Sequence, residues 1–161
     1  MDITAIIYNN YIYGMTGGQI SPTTPQGMIA STARAGNIEA AFDIPKLAEG
    51  AGASFVARGT AFHTRQLDEL MEKAIRKKGF SVVDVITQCP PIYGRYNRQG
   101  SATNMMRWQE ESALPIEDAE GLPPEELAKK FLTGVFIDEE RPEYCEEYDR
   151  LVLEVQGKEG K

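Results

Sequence analysis

Apolar runs separated by polar loops predict a series of strands and helices in the first hundred residues. The run from Ile3 to Tyr8 is mostly β-branched or aromatic, which is typical of a buried strand. A second run, rich in valine and isoleucine, extends from Phe80 to Thr87, and Ser54 to Arg58 forms a third. The first strand lies close to the start of the chain, and a buried strand normally needs a neighbouring strand on each side.

A helix is predicted between the strands at 54–58 and 80–87. Its apolar residues recur at the spacing of one helical face, namely Leu67, Leu70, Met71, Ala74 and Ile75. His63 or Thr64 can cap its start, and Gly79 ends it after a basic last turn. Strand, helix and strand at this spacing predict a βαβ unit with parallel strands and a right-handed crossover. The predicted fold class is α/β, a mostly parallel sheet flanked by helices.

A loop and a short helix are predicted before this unit, and an irregular segment is predicted after it. Residues 20–42, rich in Thr, Pro, Gly and Ala, predict an ordered loop, and Asp43-Ile44-Pro45 predicts the capped start of a short helix ending at Gly50 or Gly52. Residues 98–122 are polar and predict irregular structure, in which Trp108 can anchor against a partner.

The last forty residues predict mainly helix. One helix begins at Pro123 and has an apolar face formed by Leu127, Phe131 and Leu132. A short apolar run follows, and the charged tail predicts a helix around Cys145–Leu153 that frays after Gly157.

Composition and charge narrow the class of protein. The chain is 42% hydrophobic with a mean hydropathy of −0.37, and no run is long enough to span a membrane. Two cysteines do not form a disulfide framework, so we expect a reducing cytoplasm. A net charge of −7 disfavours nucleic acid as a partner. Residues 101–161 hold sixteen acidic and seven basic residues, which predicts a solvated face or a docking segment.

The stretch after the first strand is the strongest candidate for chemistry. Asn9 and Asn10 end the strand at its carboxyl edge, where ligands bind in open α/β sheets. Gly14, Gly17 and Gly18 follow and allow close approach of the backbone to an anion. A phosphate or metal–phosphate site and a plain turn without a ligand both fit. A P-loop and a Rossmann fingerprint do not, because neither motif is present.

The residues Asn9 to Gln19, continued by Ser21-Pro22-Thr23-Thr24-Pro25, closely resemble the beta subunit of 2-oxoacid:ferredoxin oxidoreductases. The 2-oxoglutarate branch is the nearest likeness. The resemblance implies that residues 1–122 are part of a thiamin diphosphate-binding domain without its amino-terminal half. It also implies that residues 123–161 form an acidic helical extension.

The resemblance also implies a set of ligands. The Asn10 side chain and the Ile12 carbonyl would bind Mg²⁺, and a third ligand would be the Asp of an upstream Gly-Asp-Gly motif, which this sequence does not contain. The diphosphate and thiazolium end of the cofactor would be lined by Gly14, Met15, Thr16, Gly17, Gly18 and Gln19. Without the resemblance, the sequence favours a turn-forming role for Asn10 over metal binding.

Cys89, at the end of another strand, would be the fourth ligand of a [4Fe–4S] cluster in this family. The other three cysteines would lie upstream and are absent from this sequence. Read alone, Cys89 is a buried small hydrophobic residue. Cys145 has no such match, His63 can face substrate or cap a helix, and Arg95 can bind a substrate carboxylate or coenzyme A phosphate or lie idle on the surface.

The resemblance therefore implies oxidative decarboxylation of a 2-oxoacid, 2-oxoglutarate first among them, to an acyl-coenzyme A, with electrons passed through the iron–sulfur cluster to ferredoxin. The expected partners are an alpha subunit, ferredoxin, coenzyme A and the 2-oxoacid. The alternative is a non-catalytic assembly or binding subunit that keeps only the second half of the fold. In either case we expect the chain alone to expose a sheet edge and apolar surface.

Overall fold

The fold is a five-stranded sheet flanked by helices. The computed structural model describes residues 1–159. The strands are β1 (Ile3–Asn9), β2 (Phe55–Thr60), β3 (Phe80–Ile86), β4 (Ala113–Pro115) and β5 (Phe131–Asp138). Their spatial order is β1-β3-β2-β5-β4. Pairing is parallel for β1 with β3, β2 with β3 and β4 with β5, and antiparallel for β2 with β5. The predicted class, a mostly parallel α/β sheet, is confirmed.

Five α-helices accompany the sheet in the described part of the chain. They are α1 (Ile44–Gly50), α2 (Thr64–Arg76), α3 (Ala102–Ser112), α4 (Pro124–Leu127) and α5 (Tyr144–Glu159). A π-helical turn, Pro90–Gly94, and a 3₁₀ turn, Ile116–Asp118, complete the regular structure. Within residues 1–159, no helix is both long and apolar enough to cross a membrane.

The predicted βαβ unit is present as β2, α2 and β3. Helix α2 buries Leu70 and Ala74 against the sheet residues Phe55, Ala57, Val83 and Val85. Ile75, which the apolar pattern placed on the same face, is 66% exposed. The opposite face of the sheet is covered by α1, which packs on Val56 and Val82.

Strand β1 was predicted as a buried strand but lies at an edge of the sheet. It pairs with β3 on one side only, and Ile3, Ile7 and Tyr8 are 48%, 37% and 69% exposed. An apolar edge strand in this state offers unpaired backbone groups and apolar side chains to another polypeptide.

Two assignments after residue 98 were wrong. Residues 98–122 contain α3, β4 and the 3₁₀ turn rather than irregular structure. The helix from Pro123 is a single turn, and Phe131 and Leu132 belong to β5 instead of to its apolar face. Strand β5 lies in the sheet between β2 and β4. The division of the chain at residue 122 stays a prediction.

The helix at the carboxyl-terminal end is confirmed and is longer than predicted. Helix α5 runs to Glu159, past the position where fraying was expected, and the last two residues lie outside the described part.

Candidate functional site

Two asparagines fold the chain back on itself where β1 ends. Asn9 Oδ1 accepts a hydrogen bond from the Tyr11 amide at 3.3 Å, and Asn10 Oδ1 accepts one from the Ile12 amide at 3.2 Å. Asn side chains favour such turns because they mimic the backbone. Tyr11 is held at φ 65°, in the left-handed region that costs a tyrosine about 1–2 kcal/mol. The two asparagines therefore stabilise a bend that the backbone alone would not choose.

The glycine loop, residues 13–19, follows as a tight hairpin. The Tyr13 amide donates to the Gln19 carbonyl at 3.1 Å, and the Gly18 amide donates to the Tyr13 carbonyl at 2.8 Å. The Thr16 hydroxyl donates to Gln19 Oε1 at 2.6 Å, which fixes the tip of the loop. Met15 is fully exposed at that tip.

The glycine loop packs directly against the segment that carries Cys89. A Cβ added to Gly14 would lie 3.3 Å from the Cys89 sulfur. One added to Gly18 would lie 2.6 Å from Ile92 Cγ2 and 3.1 Å from Tyr96 Cε2. The structure thus brings together the two motifs that the sequence suggested separately, and Cys89 itself is 8% exposed. Cys145 is exposed on helix α5, a different element.

The loop that the sequence predicted over residues 20–42 is ordered by hydrogen bonds to the asparagine turn and to the Cys89 segment. The buried Thr24 hydroxyl donates to the Tyr11 carbonyl at 2.6 Å. Asn97 accepts from the Ile29 amide at 2.8 Å and donates to the Ile29 carbonyl at 3.1 Å. These bonds hold three loops as one unit at the carboxyl edge of the sheet.

A cleft of about 270 Å³ opens beside this unit. Asn9, Asn10, Ser21 and Thr23 are among the residues that line it, together with apolar residues that include Ile12 and Phe42. Its walls therefore include residues of the motif that the sequence singled out.

A buried charge network lies across the adjacent strands, and sequence reasoning missed it. The Arg58 guanidinium donates to Asp84 Oδ2 at 2.7 Å and to Asp43 Oδ1 at 2.9 Å. Asp84 is fully buried, and its second oxygen, Oδ1, has no partner within the described residues. Burial raises the pKa of the Asp84 carboxyl, and the Arg58 charge opposes that rise. The sequence signal that could have revealed this network is Arg58 itself, a charged residue between apolar residues of β2.

Asp43 was predicted to cap α1 and does not. Its side chain makes no capping bond and pairs with Arg58 instead. An ion pair with a mostly buried guanidinium competes successfully with a backbone amide for the same carboxylate.

Aromatic side chains cover the asparagine turn. The Tyr11 ring centroid lies 5.6 Å from that of Tyr93 and 6.3 Å from that of Trp108, and Trp108 lies 5.4 Å from Phe131. Burial raises the pKa of Tyr93 to about 12 and raises that of Tyr11 further above its usual value. Trp108 thus anchors inside this chain; whether it also contacts a partner stays a prediction.

His63 and Arg95 were the remaining candidates. His63 Nδ1 lies 2.8 Å from the Thr60 hydroxyl at the end of β2, and its side chain does not cap α2. Arg95 is exposed, with its guanidinium 5.5 Å from the centroid of the Tyr96 ring.

The residues at the turn can serve a diphosphate–Mg²⁺ group in part. Asn10 Oδ1 and the Ile12 carbonyl are the hard oxygen donors that Mg²⁺ prefers, and no hydrogen bond from residues 1–159 reaches the Ile12 carbonyl. No cluster of three His, Cys, Asp or Glu able to hold a metal occurs in the described part of the chain. A full metal site would need further donors from the phosphates and from other polypeptide.

Cys89 is the only cysteine beside the glycine loop in the described structure. A [4Fe–4S] cluster is held by four thiolates, so the residues of this chain do not by themselves fit one.

Comparisons with known proteins agree with the geometry. The family model of the thiamine pyrophosphate enzyme C-terminal TPP-binding domain matches residues 1–85. The 2-oxoglutarate synthase subunit KorB of Methanocaldococcus jannaschii is 45% identical over 152 residues, covering 94% of this chain and 56% of that protein. The subunit of the same name from Methanothermobacter marburgensis is 43% identical over 158 residues, covering 98% of this chain and 55% of that protein. The chain therefore spans about half the length of these curated relatives.

A solved structure shares the fold. The 2-oxoglutarate:ferredoxin oxidoreductase from Magnetococcus marinus, with 2-oxoglutarate, coenzyme A and succinyl-CoA bound, matches with a TM-score of 0.78. The match covers 96% of this chain and 53% of that one at 23% identity, so it supports the fold alone.

Together these matches confirm the resemblance to the beta subunit of 2-oxoacid:ferredoxin oxidoreductases that the sequence suggested. The chain belongs to the family of thiamine pyrophosphate enzymes and matches their C-terminal TPP-binding domain.

Proposed function

We propose that this chain is the part of an oxidoreductase beta subunit that holds the diphosphate and Mg²⁺ of thiamin diphosphate. The complete enzyme would oxidatively decarboxylate a 2-oxoacid, 2-oxoglutarate first among them, to an acyl-coenzyme A in the cytoplasm. An alpha subunit would complete the assembly and ferredoxin would accept the electrons. The relatives named 2-oxoglutarate synthase subunit support this substrate class.

The observation that carries the proposal is the turn at Asn10. Its side-chain amide and the Ile12 carbonyl lie within three residues at the carboxyl end of β1, beside a cleft. Ligands bind at this edge in open α/β sheets. The glycine loop continues from the same turn and can bring backbone amides close to a phosphate.

Each residue of the site would have a distinct task. Asn10 and Ile12 would hold the metal, while Gly14, Gly17 and Gly18 would let the backbone approach the diphosphate. Thr16 and Gln19, which hold each other at the loop tip, would orient that approach. Met15 would offer its exposed apolar side chain to the cofactor ring. Thiamin diphosphate supplies, when bound, the electron sink that decarboxylation of a 2-oxoacid requires.

Cys89 would be one thiolate ligand of a [4Fe–4S] cluster, with the other three supplied by polypeptide beyond the residues described. Its packing against Gly14 supports this role because the cluster would then lie next to the loop that holds the cofactor. The alternative is that Cys89 only fills space in a buried cluster with Ile12, Tyr93 and Met105.

A second candidate function is a non-catalytic assembly subunit. It is favoured by the apolar edge strand β1, whose Ile3, Ile7 and Tyr8 are exposed and can pair with another polypeptide. Such a subunit would bind the same partners through the exposed edge of β1 without contributing to the chemistry.

The deciding experiment is an activity assay on the assembly that contains this chain and its partner subunits. The proposal predicts thiamin diphosphate-dependent reduction of a viologen dye on addition of 2-oxoglutarate and coenzyme A. Asn10→Ala should remove most of that activity, and Gln66→Ala, a change on helix α2, should not. Equal activity of the two variants would favour the assembly subunit.

A further inference from the structure

Two segments that contribute to the carboxyl edge of the sheet carry positive charge in an acidic chain. Residues 3–38 and 85–109 contain no Asp, Glu or Lys, and they hold four arginines, Arg34, Arg95, Arg98 and Arg107. The rest of the chain holds 13 Lys or Arg and all 24 Asp and Glu. Within residues 1–159, none of the four arginines forms a salt bridge. The positive charge is therefore concentrated and not neutralised locally.

Two of these arginines lie over one aromatic ring. The guanidinium carbons of Arg34 and Arg95 lie 5.4 Å and 5.5 Å from the centroid of Tyr96. Arg98, three residues further on, is held at φ 52°. All three arginines are exposed, and we call them, with Tyr96, the arginine face.

The arginine face is attached to the candidate site by packing and hydrogen bonds. Tyr96 packs against Gly18 of the glycine loop, and two of the three side-chain hydrogen bonds of Asn97 tie the Tyr96 segment to Ile29 of the loop that carries Arg34. Stacking occupies the plane of a guanidinium and leaves its N–H donors free for carboxylates. Because the side chains are already oriented, binding a carboxylate there costs less conformational entropy than at a free arginine.

The shape of the surface favours a macromolecule over a small ligand. A second cleft, besides the one next to Asn10, is lined by Arg58 and Phe136 among others. Neither Arg34 nor Arg95 lines either cleft, and small-molecule sites are concave. A long polyanion such as a nucleic acid would also meet the net charge of −7 carried by the whole chain. A compact protein with a local acidic surface can contact the arginines without being repelled by the acidic remainder of the chain.

We propose that the arginine face docks the acidic surface of the electron-carrier protein that the enzyme reduces. The inference rests on the proposed function and adds to it the residues at which the carrier binds. Tyr96 and Ile92 pack against the buried cluster that contains Cys89. A carrier docked on Tyr96 therefore contacts a side chain that packs against the same buried cluster as Cys89.

The test compares two double charge reversals in the assembled enzyme. Arg34→Glu/Arg95→Glu changes the arginine face, and Arg65→Glu/Lys73→Glu makes the same change in net charge at exposed positions on helix α2. Each enzyme is assayed with a ferredoxin of net negative charge and, separately, with a small viologen dye. Steered association of charged proteins depends strongly on such charges and on salt.

For the arginine-face variant we expect kcat/KM for ferredoxin to fall at least about tenfold at low ionic strength, and the deficit to shrink in about 0.3 M salt. The rate with the dye should not change, and the α2 control should keep its ferredoxin kinetics. An unchanged kcat/KM for ferredoxin, or an equal fall in the control, would overturn the proposal. Loss of assembly or of dye reduction would overturn it as well, because the face would then belong to a subunit interface or to the substrate site. An enzyme without any dye reduction before substitution would instead refute the proposed function.

Discussion

The contact between Gly18 and the Cys89 segment can be tested by adding one methyl group. Gly18 has φ +83°, and a Cβ there would lie 2.6 Å from Ile92 Cγ2 and 3.1 Å from Tyr96 Cε2. Gly27 is a matched control, since it has φ +82° and no atom within 4 Å of an added Cβ. Both alanine variants therefore carry the same backbone strain, and only Gly18→Ala adds a steric clash.

The expected magnitudes follow from these two terms. Gly27→Ala should lower the free energy of unfolding by about 1–2 kcal/mol, the cost of an alanine in the left-handed region. Gly18→Ala should lower it by about 1–3 kcal/mol more, the usual cost of overpacking. Ile92 offers a further check, because Ile92→Ala removes Cγ2 and should return part of the additional loss in the double variant.

The measurement is urea unfolding at one fixed protein concentration, followed by fluorescence of Trp108. Both the midpoint and the slope of the transition are compared, so that a change in cooperativity is not taken for a change in stability. Equal losses for Gly18→Ala and Gly27→Ala would refute the close packing of the glycine loop on the Cys89 segment. If Gly18→Ala costs the same additional free energy of unfolding with and without Ile92→Ala, then Ile92 is not the residue that the added methyl group contacts.

Three further outcomes are expected. Asp84→Ala should lower the free energy of unfolding by about 2–4 kcal/mol, because Arg58 then stays buried with only Asp43 as a partner. Asp43→Ala, at a carboxylate that is 40% exposed, should lower it by about 1 kcal/mol or less. Equal losses of the two variants in urea unfolding would contradict the buried pair of Arg58 and Asp84. In the assembled enzyme, Cys89→Ser should reduce the iron content and the rate of ferredoxin reduction, while Cys145→Ser should leave both unchanged. The cluster is measured by iron analysis and electron paramagnetic resonance. A full cluster in both variants would make Cys89 a packed core thiol. The chain alone should self-associate or bind a hydrophobic dye through Ile3, Ile7 and Tyr8 of β1, and a dilute monomer that binds no dye in sedimentation and fluorescence experiments would count against this.

The parts of the fold that sequence predicted well are those with one dominant period. Leu70 and Ala74 lie on the buried face of α2, and the valine-rich run of β3 lies inside the sheet. In these elements the apolar pattern and burial coincide, so periodicity alone is sufficient.

The helix α3 escaped prediction because its buried face is partly polar. Gln109 and Ser112 are buried along with Met105, and the Phe62 amide donates to Gln109 Oε1 at 3.1 Å. A glutamine that satisfies a backbone group of another loop carries no apolar signal in the sequence. The start of β5 was misassigned for a related reason, since Phe131 and Leu132 fit a helical face until their pairing with β4 is known.

The sequence predicted the motif of the candidate site but not the tertiary contacts that hold the motif in place. Asn10 and the glycines were singled out from the residue pattern, and the resemblance added their roles and Cys89. The contact between Gly14 and Cys89 depends on the tertiary structure. The ion pair between Arg58 and Asp84 joins residues 26 positions apart on neighbouring strands. No local pattern encodes such a pair, because its partners meet only once the register of β2 and β3 is set.

The central claim is that Asn10 and the turn after β1 hold the metal and diphosphate of thiamin diphosphate. The most direct measurement is titration calorimetry of thiamin diphosphate with and without Mg²⁺, using the assembled enzyme and its Asn10→Ala and Asn10→Asp variants. We expect Mg²⁺-dependent binding that Asn10→Ala weakens at least about tenfold, which is about 1.4 kcal/mol, and that Asn10→Asp largely keeps because a carboxylate also offers an oxygen ligand. The chain of residues 1–161 alone should bind weakly or not at all. Unchanged affinity in Asn10→Ala, or tight binding by the isolated chain, would contradict the account.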